Sequence, residues 1–513
     1  MKTINHLLPV WLILLLTGFC ASSQVIAGIQ VVQRQRQLPL LKGKAFNEML
    51  RMEITTDDVT AGTTLREVVI STAGTTDLND LDSFSLFWCG DHSEINATAI
   101  PADISLFGKP AQPAAKLRFQ GTVRLAAGKN HLLLGVKLKD HANLLHFADA
   151  SCEKIVTSRG TLKPAGEEKQ IVQRFGVALR QHGDDGVHTF RIPGLATTNA
   201  GTLLAIYDAR RTSARDLQGD IDIGVQRSTD GGNSWKPMQI ALDRGEWGGL
   251  PQKFNGVSDA CILVDKNSDN IFLAGLWMHG VIDPTGRWRE GLTADSTVWN
   301  HQWRDKGSQP GFGVKETSQF LITRSSDDGQ TWSDPENLTR VCKPESWWLW
   351  APAPGNGITL ADSTLVFPTQ GRDETGEPFS NITFSQDGGK TWTTSRPATT
   401  NTTECAVAQL SDGSLMLNIR DNRNNSKTRT NGRSVAVTSD LGQTWTEHPT
   451  SRTTLTEPVC MASLFKHEFH QDGQKQTLLL FSNPNSREGR HQMTIKISRD
   501  DGKTWPPEYW LLL

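Results

Sequence analysis

The sequence predicts an all-β protein in two parts, a β-sandwich followed by a β-propeller of four-stranded blades. Three observations predict it. A short turn motif recurs five times in the second part, β-rich runs bounded by turn residues lie between the copies, and long amphipathic helical patterns are missing. At 513 residues the chain is also too long for one ordinary core.

The repeat has the pattern S-x-D-x-G-x-T-W. Its copies are Ser228, Asp230, Gly232, Ser234, Trp235; Ser325, Asp327, Gly329, Thr331, Trp332; Ser385, Asp387, Gly389, Thr391, Trp392; Thr438, Asp440, Gly442, Thr444, Trp445; and Ser498, Asp500, Gly502, Thr504, Trp505. Each suits a hairpin turn. Asp accepts hydrogen bonds from loop amides, Gly permits positive φ, and Trp packs down onto the strand pair. These aspartates are therefore expected to be structural, not catalytic. A calcium-loop reading fails because the closely spaced acidic ligands with a terminal Glu are absent. Successive copies start 53 to 97 residues apart. The shorter spacings suit one four-stranded blade per copy, and the long first gap leaves room for loops or a blade without a copy.

The region from about Ile29 to Lys163 lacks the motif and carries alternating segments such as LREVVIST and AKLRFQGTVRL, which predict the sandwich. The expected boundaries are 1–23 for an export signal, 24–165 for the sandwich and 166–513 for the propeller, with Ile171 to Leu179 able to add one closing strand. The signal reading rests on Lys2, the apolar run Leu7 to Phe19 and the small residues Ala21, Ser22 and Ser23. It places the mature chain in the periplasm or outside the cell. Phe19 is bulky for a lipidation site at Cys20, so a lipoprotein is the less favoured reading. No later segment is apolar enough to span a membrane.

The remaining cysteines are Cys89, Cys152, Cys261, Cys342, Cys405 and Cys460. Scattered single thiols suit burial as small apolar groups, although an exported chain could pair Cys89 with Cys152. No spacing suits a metal, so neither metal nor cofactor is expected. The formal charge of −2 gives no reason to expect nucleic acid as a partner. An anionic ligand would need a local cluster of Arg.

Phe190-Arg191-Ile192-Pro193 lies at the start of the propeller region. This F-R-I-P segment, with the five ordered turns, resembles the bacterial exo-α-sialidases (neuraminidases), glycoside hydrolases with a six-bladed propeller. The region before it resembles the accessory domain of sialidases from gut and oral Bacteroidetes. The resemblance implies action on sialylated glycoproteins, glycolipids (gangliosides among them) and oligosaccharides. It also implies a carboxylate clamp of three arginines, for which guanidinium groups are suited because they stay charged and grip carboxylates in a planar fork. Arg191, Arg420 and Arg490 match these positions, with Arg487 a competitor for the last. Asp216 matches the acid/base, with Asp220 and Asp222 as neighbouring rivals, and Glu404 matches the glutamate that takes a proton from the nucleophile. Arg210, beside Arg211, matches an arginine next to the catalytic loop, and Asp259 matches a substrate contact; Gln370, Trp347 and Trp348 are weaker contact candidates.

Sialidases use a tyrosine nucleophile, because an anionic carboxylate would approach an anomeric centre that already bears one. Neither tyrosine here, Tyr207 or Tyr509, has the expected context. The expectation is of a propeller short of its closing strands by roughly 25 to 35 residues, judged from blade length. A non-catalytic sialic-acid-binding propeller is the alternative reading, although a pure binder has no use for Asp216 and Glu404. Transfer of sialic acid would use the same residues as hydrolysis.

Overall fold

The computed structural model describes residues 26–35, 38–93, 102–166, 172–217, 219–249, 251–280, 308–314, 316–425 and 431–512. The expected signal at 1–23 lies outside them. The chain divides into two compact units, Met1–Ala178 and Leu179–Leu513.

The first unit is built on two main sheets, antiparallel apart from the edge strand Ala165–Gly166, which pairs in parallel with Ile29–Arg34. One has six strands, in the order Ala165–Gly166, Ile29–Arg34, Asn47–Thr56, Gly128–Leu138, Leu81–Gly90 and Ser105–Leu106; the other has four, Gly160–Leu162, Ser151–Thr157, Thr64–Ser71 and Lys116–Arg124. Alternate residues of both sheets meet in one core. Met52, Ile54, Phe84 and Leu134 come from the first sheet, and Val68, Ile70, Phe119 and Ile155 from the second. Two expectations need correction here. Gln173–Val177 does not join the propeller. It pairs in parallel with Leu40–Lys42 and antiparallel with Phe147–Ala148, so the boundary falls after Ala178, later than residue 165. Cys89 and Cys152 are free thiols. They lie in different sheets, Cys89 beside Phe46 and Leu133 and Cys152 in the main core. Burial pushes both thiols up to about 12, so they behave as inert apolar groups.

The second unit holds five successive antiparallel runs of four principal strands, the blades. The first blade is Thr189–Thr197, Leu203–Arg210, Ile221–Ser228 and Gln239–Leu242. The other four begin at Asn255–Val264, Leu349–Pro352, Thr402–Gln409 and Ser463–Gln471. The core lies between neighbouring blades. Phe272 and Phe320 of the second blade meet Trp350, Phe367 and Trp392 of the third, and Met416 of the fourth meets Phe481 and Trp505 of the fifth. Among the described residues five blades are present. No helix among them is long and apolar enough to cross a membrane.

All five turn motifs form the same clasp. In the third, Ser385 Oγ donates to Asp387 Oδ1 (2.8 Å) and accepts the Gly389 amide (2.8 Å), while Asp387 accepts the Thr391 amide (2.9 Å) and hydroxyl (2.6 Å). The Thr391 bonds hold the Asp387 carboxyl down at about 2. Each clasp after the first also touches the blade before it. Gly389 has φ +84°, and a Cβ there would come within 2.3 Å of the Phe272 ring. In the same way Gly442 faces Ser395 and Gly502 faces Met416. The clasp ends the third strand of its blade, where Ser228 pairs with Leu203; the other end of that sheet pairs Thr189 with Arg210.

A carboxyl lowered in the fold stabilises it fully above its ordinary value of 3.8 and stops doing so as pH falls toward about 2. Asp387→Ala is therefore expected to lower Tm by roughly 2–4 °C near neutral pH. The deficit should shrink between about pH 4 and pH 2, which calorimetry across that range would check.

Candidate functional site

The blade ends opposite the clasps hold the candidate site residues Arg191, Asp259 and Glu404. Three first strands break register there, between Arg191 and Gly194, between Ser258 and Cys261, and between Thr402 and Cys405. Each break comes with a left-handed residue in or beside it: Ile192 (φ +54°), Asp259 (φ +56°) and Asn401 (φ +54°). Bulges re-aim side chains, and left-handed non-glycine residues cluster where function over-determines the backbone.

On the first blade, Arg210 is 1% exposed. Its Nε and Nη2 donate to Asp208 Oδ2 at 3.2 and 2.9 Å, its Nη1 to the Ala214 carbonyl at 3.0 Å, and its Nη2 also to Asp216 Oδ1. Its donors face inward and hold Asp216 in place, because Asp208 and Arg210 stand two apart on one strand and share a face. Asp216, in the loop between the second and third strands, has a side chain 63% exposed. Of its rivals, Asp222 is buried and ion-paired to Arg211, and burial pushes its carboxyl up to about 6. Asp220 is half-buried.

Asp208 was not singled out by sequence, yet it organises this corner. Its second oxygen accepts the amide of the strained Asp259 at 3.2 Å. The carboxylate oxygens of Asp208, Asp216 and Asp259 lie within 4.8 Å of one another. Burial pushes the Asp208 carboxyl up to about 7 against the pull of Arg210. Asp259 is raised as well, by burial and by the charges of Asp208, Asp216 and Glu404. The available signal was the polar pair Asp208 and Arg210 at alternating spacing inside an otherwise apolar strand.

Glu404 and Arg420 face each other on the fourth blade, with Arg420 Nη1 donating to Glu404 Oε2 at 2.6 Å. Burial works against the charge on Arg420, and Glu404, together with Cys460 and Glu457, more than offsets it. Arg191 is exposed, without a side-chain partner among the described residues, and its backbone pairs with Asp208. Arg490 is exposed and reaches the Val459 carbonyl at 3.5 Å, beside Cys460, which borders Arg420. Arg487 is also exposed, and its carbonyl is held by Asn431. Trp347 is core, packed on Phe379. Trp348 is half-buried, with Nε1 donating to the Glu374 carbonyl, and Gln370 bonds the Pro352 carbonyl. Tyr207 is buried with its hydroxyl on Gln226, and Tyr509 lies exposed under Arg499.

Residues 192–505 match the BNR repeat-like domain, and residues 28–161 match the N-terminal domain of BNR-repeat neuraminidase. The chain is 38% identical to a sialidase of Bacteroides fragilis over 515 residues, 96% of this chain and 90% of that one. The chain belongs to the sialidase family of BNR-repeat neuraminidases. A solved Hadza microbial sialidase matches with a TM-score of 0.82 at 37% identity, over 94% of this chain and 92% of that one. A sialidase of Micromonospora viridifaciens is 30% identical over 67% of this chain and 48% of its own length. The match to the first of these relatives takes in both units of this sialidase-family chain.

Removing Asp208 would take from the buried Arg210 its principal counter-charge. Asp208→Ala is expected to cost about 3 kcal/mol of stability, read from urea unfolding. A loss under about 0.5 kcal/mol, typical of ordinary surface sites, would contradict the role given to Asp208.

Proposed function

We propose that this sialidase-family chain is an exo-α-sialidase that removes terminal α-linked sialic acids from sialylated glycans, with retention at the anomeric carbon. One observation supports this reading above the rest. An exposed carboxyl, Asp216, is fixed by a buried arginine, and Asp259 links it electrostatically to the Glu404–Arg420 pair. In this scheme Arg191, Arg420 and Arg490 hold the sugar carboxylate and Asp259 contacts the ring substituents. Asp216 gives its proton to the leaving glycosidic oxygen and then takes one from the incoming water.

Glu404 serves as the base for the nucleophile. No tyrosine among the described residues is assigned as that nucleophile: Tyr207 is buried with its hydroxyl on Gln226, and the Tyr509 ring lies under Arg499. Lys2 and the apolar run Leu7 to Phe19 support export to the periplasm or beyond. Asp216 and Glu404 together disfavour a purely binding propeller, in which a proton relay has no use.

The test is release of 4-methylumbelliferone from its α-sialoside. Arg191→Ala, Asp216→Asn and Glu404→Gln are each expected to lower kcat/KM by roughly 100-fold or more. Undiminished turnover in Arg191→Ala would sink the clamp assignment. Absence of turnover in the unaltered chain, with sialic acid binding that needs Arg191, would favour the binding propeller.

A further inference from the structure

Beneath the proposed clamp lies a pair of charges that the mechanism does not use. Arg433 and Glu457 are both 0% exposed, and Arg433 Nη1 donates to Glu457 Oε2 at 2.7 Å. Each then grips the strand that carries Arg420, from either side of that residue. Arg433 Nε donates to Asn418 Oδ1 (2.7 Å) and its Nη2 to the Asn418 carbonyl (3.2 Å). Glu457 Oε1 accepts the Asp421 amide (2.8 Å) and Asn424 Nδ2 (2.7 Å).

The same pair fixes the segment leading to Arg490. Arg433 Nη1 also donates to the Cys460 carbonyl at 2.6 Å. Val459, next in the chain, stands at φ +53° and presents the carbonyl that Arg490 reaches. Asn483, on the strand before Arg490, donates to the Thr456 carbonyl at 2.7 Å. The loop 456–460 thus lies between two of the proposed clamp arginines, with the buried pair at its root.

A buried ion pair is a poor source of stability, since desolvation consumes most of its attraction. What it supplies is direction: a planar guanidinium and a carboxylate whose hydrogen bonds fix the backbone and side chains they hold. We infer that Arg433 and Glu457 are positioning residues that set the placement of Arg420 and Arg490 for a ligand carboxylate. This rests on the clamp assignment proposed above.

The experiment compares binding of 2-deoxy-2,3-dehydro-N-acetylneuraminic acid with that of its methyl ester by calorimetry on the full chain. Unaltered protein should prefer the acid, and Arg420→Ala should abolish the preference. Glu457→Gln should weaken acid binding by roughly tenfold and ester binding by less than about twofold. Asn424→Ala, which removes one of the bonds to Glu457, should show a smaller loss of the same selectivity and decides the matter if Glu457→Gln fails to fold. A purely structural pair would lower Tm and leave the acid-to-ester ratio unchanged, which would overturn the inference. An unchanged ratio in Arg420→Ala would instead overturn the clamp assignment, and this inference with it.

Discussion

The hydroxyl–carboxylate–amide clasp at the end of each third strand is the constraint on which the propeller unit depends. Five clasps share one geometry, and the glycine inside the later ones is backed against the preceding blade, as Gly389 is against Phe272. At Gly389 a larger residue would collide with the Phe272 ring, so the ring or the backbone would have to shift. Local turn chemistry therefore sets a long-range distance, and the aromatic layers, such as Trp392 against Phe272 and Phe367, fill the space so defined.

With one end of each blade fixed, the other end is free to depart from regular pairing. The register breaks at Arg191, Asp259 and Glu404 lie at that end. Irregular backbone there costs stability, roughly 1–3 kcal/mol for each strained residue. The surrounding sheets offset it with specific bonds, of which the Asp208 carboxylate on the Asp259 amide is the clearest. Rigid turns at one end and strained strand starts at the other are two parts of one arrangement.

What the sequence disclosed follows the range of the interactions concerned. The clasps were legible because every partner lies within four residues, as Asp387 and Thr391 do. Arg191, Glu404 and Arg420 were legible because their neighbours form recognisable segments. Arg433 and Glu457 were not, because a buried charge announces itself only through partners far along the chain: Glu457 lies 36 residues from Asp421 and 24 from Arg433. Asp208 has a near partner in Arg210, but its bond to the Asp259 amide spans 51 residues. The errors have the same origin. Pairing Cys89 with Cys152 assumed a proximity that two different sheets deny, and Gln173–Val177 reads as a generic strand whose partner, Leu40–Lys42, only the fold reveals.

The charges at the site fall into two groups, and the division orients an anionic ligand. Asp208, Asp216 and Asp259 gather round one arginine that is already saturated, so that corner offers an anion no free cation. Arg191 stands free of side-chain partners among the described residues, and Arg420 shares its charge with a single carboxylate. Arg210 is buried and spends its donors on Asp208, Asp216 and the Ala214 carbonyl, so it has none to offer a carboxylate. For the sugar acid proposed here, the cation open to its carboxylate is therefore the exposed Arg191 and not the arginine beside Asp216.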